Sequence, residues 1–354
     1  MSEIAHPAPD GWLKRFFLSL VILALLAGLL LVPWAVCWLT ASGELDQEEV
    51  VARQAQGEFV LFGPGLAQDI MAYKLALYAA VKPEVVVLGS SRAGNVRAAF
   101  FERPFVNMAG AATDLESLRL LVDRMLAVHR PKVVLLGLDF WWLTAGAPAG
   151  RPERIVQPSL LDASTLRAPW RWLVQGRIAP ADMLAPLQHR LRADRYGLEA
   201  QLRDTGYGPD GSLYEGAVLD GRRPAPDHAF ARTLRELESG SGVWAGSLAP
   251  DRERLEAFAE ICCRLRSRGI RTIVFLPPLA TPVLGALADR NGGDAGWLSA
   301  LRQGLLDCGV ESMDFSDPRV YGSGDCEMMD GLHGGDVIGA SLVRDMGDRQ
   351  PWLR

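Results

Sequence analysis

The most constraining feature of this sequence is a short apolar segment that ends in a glycine and two serines. Residues 85–88 read Val-Val-Val-Leu, and the chain continues as Gly89, Ser90, Ser91 and Arg92. Four apolar residues in a row, three of them β-branched, predict a strand that is buried on both faces. The glycine and the small polar residues predict a tight turn at the carboxyl end of this strand, followed by the start of a helix.

Helices and strands alternate along the chain on both sides of this segment. Apolar residues at helical spacing predict helices over 66–81, 114–128, 251–268, 295–306 and from about residue 336. Short apolar runs predict strands over 58–62, 105–107, 132–139, 271–276 and 310–315. The sequence therefore predicts an α/β fold built on a doubly wound parallel sheet with helices on both faces.

The alternation is interrupted between about residues 144 and 250. This stretch is rich in proline, glycine, arginine and tryptophan, and the Pro-Asp-Gly at 209–211 predicts a hairpin turn. We expect a large insertion that lies over the mouth of the sheet, where long loops tend to carry specificity. The alternative is an excursion that packs elsewhere.

A long uncharged segment covers residues 16–39. About 20 apolar residues are enough to cross a bilayer. Lys14 and Arg15 precede the segment, so the positive-inside rule places residues 1–15 in the cytoplasm. A juxtamembrane helix or linker is then expected at 40–57 and an outward-facing domain at 58–354. A cleaved signal peptide is the alternative, but the apolar run is longer than a typical signal core.

Composition narrows the range of ligands. The formal net charge is −5 and no basic tract stands out, so we expect no nucleic-acid partner. Five histidines and no Cys-x-x-Cys spacing predict neither a metal site nor another cofactor. Cys308 and Cys326 flank the predicted last strand of the sheet and could form a disulfide in an oxidising compartment.

An aspartate and a histidine lie three residues apart, just before the predicted last helix. Asp330 and His333 can face the same way from one turn-like loop. A serine nucleophile needs an imidazole to accept its proton and a carboxylate to hold that imidazole in the right tautomer. One of the two serines at positions 90 and 91, together with His333 and Asp330, therefore forms the candidate catalytic set. Two simpler interpretations stay open: both serines cap the following helix, and His333 bonds only to its own turn.

Together these motifs resemble the SGNH (GDSL-like) hydrolase superfamily. A Gly-Ser-Ser block places Ser91 in the nucleophile position, and an Asp-x-x-His block supplies Asp330 and His333. The match covers residues 85–139 and 271–342 and implies a flavodoxin-like, three-layer SGNH-type fold. The Gly-Ser-Ser form and the single amino-terminal anchor look like the membrane-anchored proteins of envelope-polymer acylation. Those proteins include the ones that act in teichoic-acid D-alanylation and alginate O-acetylation.

Two blocks depart from the family pattern. In the second block, Asn107 sets a register that puts Ala112 where the oxyanion-hole glycine is expected, with Gly110 as the alternative N–H donor. The third block has Asp139 in place of an asparagine, and a carboxylate repels an oxyanion. Asp139 is therefore expected to order the loop or to meet the substrate. Arg92, beside the nucleophile, and Asn107 itself are further candidates for oxyanion or substrate contact.

The resemblance implies a membrane-anchored, extracytoplasmic acyltransferase, most simply an O-acetyltransferase. Ser91 would carry an acyl group to a hydroxyl of an envelope polysaccharide, and a membrane-bound acyltransferase would be the partner that delivers that group. An esterase acting on a carbohydrate or lipid is the first alternative, and a non-catalytic scaffold or polysaccharide-binding protein is the second. The implied location is the inner (cytoplasmic) membrane, with the amino terminus inside and the catalytic domain in the periplasm.

Overall fold

The computed structural model of the chain describes residues 10–66, 70–145, 158–186, 188, 190–222, 227–245, 249–290, 296–307 and 309–353. Within these ranges there are nine strands: β1 (Leu61–Phe62), β2 (Val85–Gly89), β3 (Phe105–Asn107), β4 (Val133–Gly137), β5 (Arg195–Tyr196), β6 (Thr205–Tyr207), β7 (Leu213–Glu215), β8 (Arg271–Leu276) and β9 (Glu311–Asp314). They form two separate sheets of five and four strands.

The larger sheet is entirely parallel and runs in the order β3-β2-β4-β8-β9. Strands β2 and β4 are buried along their whole length, as their unbroken apolar sequences predict. They pair in register, so that Gly89 lies beside Gly137 where the two strands end. A Cβ atom on Gly89 would come within 2.5 Å of the Gly137 carbonyl oxygen, and its φ is +134°, so the close approach requires glycine. The predicted parallel α/β sheet is confirmed.

The helices of the described residues are α1 (Asp10–Ala41), α2 (Gln47–Ala55), α3 (Ile70–Val81), α4 (Leu115–Val128), α5 (Ala163–Val174), α6 (Leu198–Arg203), α7 (Gly216–Leu219), α8 (Ala231–Ser239), α9 (Arg252–Ser267), α10 (Thr281–Arg290), α11 (Gly296–Leu306) and α12 (Asp336–Arg349). The helices predicted between the strands of the large sheet are present, and α4 begins at a capping box formed by Asp114 and Ser117. Helix α10 lies in a segment where the sequence predicted none.

The segment after the two serines corrects one prediction. Instead of a helix, it forms two single 3₁₀ turns, Ser91–Ala93 and Ala98–Phe100. A turn of this length has no substantial macrodipole, so a helix dipole cannot favour negative charge beside Ser91. The backbone of this loop is instead held by side chains from distant parts of the chain.

The insertion builds the smaller sheet together with a strand from outside it. Strands β5, β6 and β7 join β1 in the order β5-β1-β6-β7. Strands β6 and β7 pair antiparallel across residues 209–211, which confirms the predicted hairpin. Elsewhere in the insertion, α5 packs against the end of α1. The insertion therefore contacts both the amino-terminal helix and, as described below, the candidate site.

The segment predicted as a juxtamembrane helix or linker belongs to the folded domain. Helix α2 packs on α3. Glu44 is buried, and its carboxylate accepts hydrogen bonds from the backbone N–H groups of Gly65, Leu66 and Leu198. The helical part of the prediction is confirmed, but no free linker separates α1 from the domain.

The cysteines also correct a prediction. Cys326 is an exposed free thiol, so it does not pair with Cys308, which lies outside the described residues. Cys263 takes part in a disulfide bond, whereas its neighbour Cys262 is a buried free thiol. Burial raises the pKa of the Cys262 thiol.

Candidate active site

The three candidate catalytic side chains meet at the carboxyl end of the large sheet. Ser91 Oγ lies 2.9 Å from Nε2 of His333. The other ring nitrogen, Nδ1, lies 2.9 Å and 3.0 Å from the two carboxylate oxygens of Asp330. Ser91 is exposed, while Asp330 is buried. The order from hydroxyl to imidazole to carboxylate is the one that a serine nucleophile requires.

The two adjacent serines have different roles in the local structure. The Ser90 hydroxyl caps the first 3₁₀ turn by accepting the N–H of Arg92 at 3.2 Å. Ser91 occupies the first position of that turn, and its hydroxyl faces His333. The capping interpretation therefore holds for Ser90. The hydroxyl of Ser91 makes no hydrogen bond to the backbone of the described residues, and its partner is His333.

A tight turn orients the histidine. Oδ1 of Asp330 accepts hydrogen bonds from the backbone N–H groups of Leu332 and His333, both at 2.8 Å. Burial raises the pKa of Asp330, but the contacts with the His333 ring and with these N–H groups outweigh it, so its pKa lies below the usual range. Asp330 is thus a carboxylate at neutral pH and can stabilise a protonated His333.

Helix α8 of the insertion supports this turn from outside. The carboxylate of Asp227 accepts the N–H groups of Arg232 and Thr233 in the first turn of this helix. Thr233 packs closely on Gly331, and a Cβ atom added to Gly331 would lie 2.6 Å from the side chain of Thr233. Arg232 Nη2 lies 3.5 Å from Oδ2 of Asp330. These residues carry no motif in the sequence, since only the fold brings them to the site.

The β6–β7 hairpin of the insertion braces the loop that carries Ser91. The N–H of Leu213 donates to the carbonyl of Gly94 at 2.9 Å. Next to it, Ser212 accepts a hydrogen bond of 2.8 Å from Arg97, which also pairs with Asp336 at the start of α12. The expectation that the insertion lies at the mouth of the sheet is confirmed for α8 and this hairpin, whereas α5 packs elsewhere.

Asn107 has a different role from the predicted one. Its side chain is fully buried, and Nδ2 donates to the carbonyls of Ala93, Gly94 and Val96 at 2.9, 3.3 and 2.8 Å. Its Oδ1 accepts the N–H of Ala109 at 2.8 Å. With these groups already engaged, Asn107 does not face an oxyanion or a substrate. It fixes the loop that follows Ser91.

The second block offers one free backbone donor. The N–H of Gly110 donates to the carbonyl of Gly89 at 2.9 Å, so it cannot serve an oxyanion in this arrangement. Among the described residues, the N–H of Ala112 has no hydrogen-bond partner, although Ala112 is fully buried. Buried N–H groups without a partner are rare, and active sites are one place where they occur. Of the two alternatives, Ala112 is therefore the one whose N–H is not already engaged.

Arg92 and Asp139 form a buried ion pair. Arg92 Nη1 lies 2.8 Å from Oδ1 of Asp139, and both side chains are almost completely buried. The guanidinium also donates to the carbonyls of Pro277 and Pro278, after β8, and of Leu332, beside His333. Of the two roles expected for Asp139, the structure shows the ordering of loops, and the guanidinium of Arg92 is engaged by groups of the protein itself.

No protein-family model matches the chain, and a search of curated proteins finds no match. The function is therefore inferred from the geometry of the site, the topology of the sheet and the motifs.

Proposed function

We propose that the protein is a membrane-anchored, extracytoplasmic acyltransferase of the SGNH type. The observation that carries this proposal is the connected series of Ser91, His333 and Asp330. The strand order β3-β2-β4-β8-β9 supports it, because it corresponds to the flavodoxin-like order, and such sheets place their sites at the carboxyl ends of the strands. The proposal includes helices on both faces of this sheet, which is a doubly wound, three-layer arrangement.

The reaction begins with attack by Ser91 Oγ on the carbonyl carbon of an acyl ester, while His333 Nε2 takes the hydroxyl proton. The developing oxyanion is stabilised by backbone N–H groups, for which Ser91 and Ala112 are the candidates. When the tetrahedral intermediate collapses, His333 returns the proton to the leaving alkoxide, and the acyl group stays on Ser91. An acceptor hydroxyl then gives its proton to His333 and attacks the acyl carbon. The bond to Ser91 Oγ breaks as this second tetrahedral intermediate collapses, and His333 returns the proton to Ser91.

The molecule that accepts the acyl group decides between the proposed transferase and its first alternative, an esterase. A hydroxyl of an envelope polysaccharide makes the protein a transferase, whereas water makes it an esterase. Transfer is favoured because the anchor holds the site beside the membrane, where a membrane-bound acyltransferase can supply acyl groups from across the bilayer. The disulfide at Cys263 suits an oxidising compartment outside the cytoplasm.

A serine-directed fluorophosphonate tests whether the site is a working nucleophile. We expect the full-length protein in detergent to form a covalent adduct, which peptide mass spectrometry locates on Ser91, because His333 activates that hydroxyl. The His333→Ala variant is the matched control and should react far more slowly. Failure of the folded wild-type protein to form any adduct would favour the non-catalytic scaffold.

The packing of α1 favours an uncleaved anchor over a signal peptide. Its first part, from Trp12 to Val32, is apolar, and most of the side chains that the structure describes there are exposed. Its end is different, because Trp38 and Leu39 are fully buried in a cluster with Trp172 of the insertion. Cleavage after Ala41 would remove two large side chains from this cluster and leave the cavity in the domain. Losses of this kind cost about 3–5 kcal/mol for one tryptophan alone.

A fractionation experiment tests the anchor. We expect the mature protein to keep its amino terminus, to stay in the membrane pellet after a sodium carbonate wash, and to be absent from the soluble periplasmic fraction. A reporter that is active only outside the cytoplasm should be active when fused after Glu49, because Lys14 and Arg15 retain the amino terminus inside. A shorter, soluble mature form would instead identify α1 as a signal peptide.

A further inference from the structure

The insertion holds the end of α1 through two pairs of tryptophans. The rings of Trp34 and Trp170 have centroids 4.7 Å apart, and those of Trp38 and Trp172 lie 5.7 Å apart. Trp38 and Trp172 are fully buried, whereas Trp34 and Trp170 are only partly buried. Helix α1 contains Pro33, directly before Trp34, and extends through this contact to Ala41. The domain is therefore fixed directly to the helix.

The length of the exposed part of α1 sets the position of this tryptophan contact relative to the bilayer. Most of the described side chains in residues 13–32 are exposed, and at about 1.5 Å per residue this range spans about 30 Å. The hydrocarbon core of a bilayer is also about 30 Å thick. The pair formed by Trp34 and Trp170 thus lies within about one helical turn of the point where α1 leaves the hydrocarbon, at the level where tryptophans are enriched.

The segment that contacts α1 also exposes apolar and basic side chains. Leu161, just before α5, is 94% exposed, and Val174, the last residue of α5, is 87% exposed. Leu184 follows as a third exposed apolar side chain. Arg167 and Arg171 lie one turn apart on the exposed face of α5. We call these five residues the basal surface. Isolated exposed apolar side chains are ordinary, but these lie in α5 or within ten residues of it, and α5 packs against the end of the apolar helix α1.

We propose that the basal surface rests on the outer leaflet of the membrane that α1 spans. Its apolar side chains enter the headgroup region, and Arg167 and Arg171 contact lipid phosphates. Arginine matches phosphate geometry, and the combination of apolar and basic residues is typical of interfacial segments. The inference rests on α1 being a retained anchor. It adds that the domain lies flat against the lipid and does not rotate about the end of α1. The height of Ser91 above the bilayer is therefore fixed.

The test uses the full chain in nanodiscs that contain phosphatidylcholine and phosphatidylglycerol. Cys37 and Cys326 are first replaced by serine, because they are the exposed free thiols of the described residues. Single cysteines are then introduced as Leu161→Cys, Val174→Cys or Leu184→Cys and labelled with an environment-sensitive fluorophore. Val320→Cys is the matched control, since Val320 is an equally apolar, exposed side chain in a 3₁₀ turn after β9. Lipids that carry a nitroxide in the headgroup region serve as quenchers.

We expect blue-shifted emission and strong nitroxide quenching at all three basal positions, and neither at residue 320. Replacing both Arg167 and Arg171 by glutamate should reduce the quenching, because the phosphate contacts are lost and like charges repel. Aqueous emission without quenching, in protein that is fully inserted in the discs, would overturn the proposal. Labels that are shielded in native membranes but aqueous in discs would mean that a partner protein covers the surface instead. Failure of the anchor would be seen separately, as protein that does not enter the discs.

Discussion

Replacing Ser91 by alanine should abolish acyl transfer and ester hydrolysis while leaving the protein folded. The rate should fall on the order of a thousandfold or more, because the covalent route disappears while binding and oxyanion contacts remain. The hydroxyl of Ser91 is exposed, and its contact in the described structure is with His333. Its loss should therefore change the free energy of unfolding by about 1 kcal/mol or less. Acylation of the envelope polysaccharide in cells and hydrolysis of a small acyl ester by the purified protein measure the effect.

Two further variants give this experiment its controls. Ser90→Ala removes the hydroxyl that caps the first 3₁₀ turn, so it should cost about 0.5–1 kcal/mol of stability and have a much smaller effect on the rate. His333→Ala should resemble Ser91→Ala, because residues that act as a unit do not contribute additively. Normal polymer acylation by the Ser91→Ala protein would rule out the enzyme and favour the scaffold. Polymer acylation by a wild-type protein that hydrolyses no ester in isolation would indicate transfer that depends on a partner.

The sheet and the candidate triad could be predicted from the sequence because their signals are local. Strands β2 and β4 are unbroken apolar runs, which a parallel sheet buried on both faces requires. Since the carboxyl ends of parallel strands meet at one edge, the turn with Ser91 was expected close to other strand ends. The spacing of Asp330 and His333 likewise predicts a shared turn, and the structure shows one.

What the sequence did not reveal depends on contacts between distant residues. Asn107 and Asp139 were interpreted through the family pattern, but their roles follow from which buried groups the fold places around them. Nothing local marks Thr233 or Arg232, which reach the turn of Asp330 from the insertion. The helix expected after Ser91 is another case, because side chains from other elements determine that loop more strongly than its own propensity.

The ion pair of Arg92 and Asp139 should be the most sensitive point of the fold around the site. Removing one member of a buried pair costs about 3–5 kcal/mol, because the other charge stays buried without compensation. The two members are not equivalent. Arg92→Ala leaves a buried carboxylate whose Oδ2 already has no partner among the described atoms. Asp139→Ala leaves a guanidinium that still donates to three carbonyls, so it should be the milder change.

Denaturation of the purified protein in detergent measures these differences, and Asp139→Asn serves as the conservative control because its amide oxygen can still accept from Arg92. We expect stability to fall in the order wild type, Asp139→Asn, Asp139→Ala, Arg92→Ala. The rate of fluorophosphonate labelling of Ser91 should fall as well, at temperatures where each variant is folded. The reason is geometric: Arg92 follows Ser91 in the chain and also holds the carbonyl of Leu332, the neighbour of His333. Loss of the guanidinium therefore loosens the hydroxyl and the imidazole relative to each other. An Arg92→Ala protein with unchanged stability and labelling would show that this pair neither supports the fold nor positions the site.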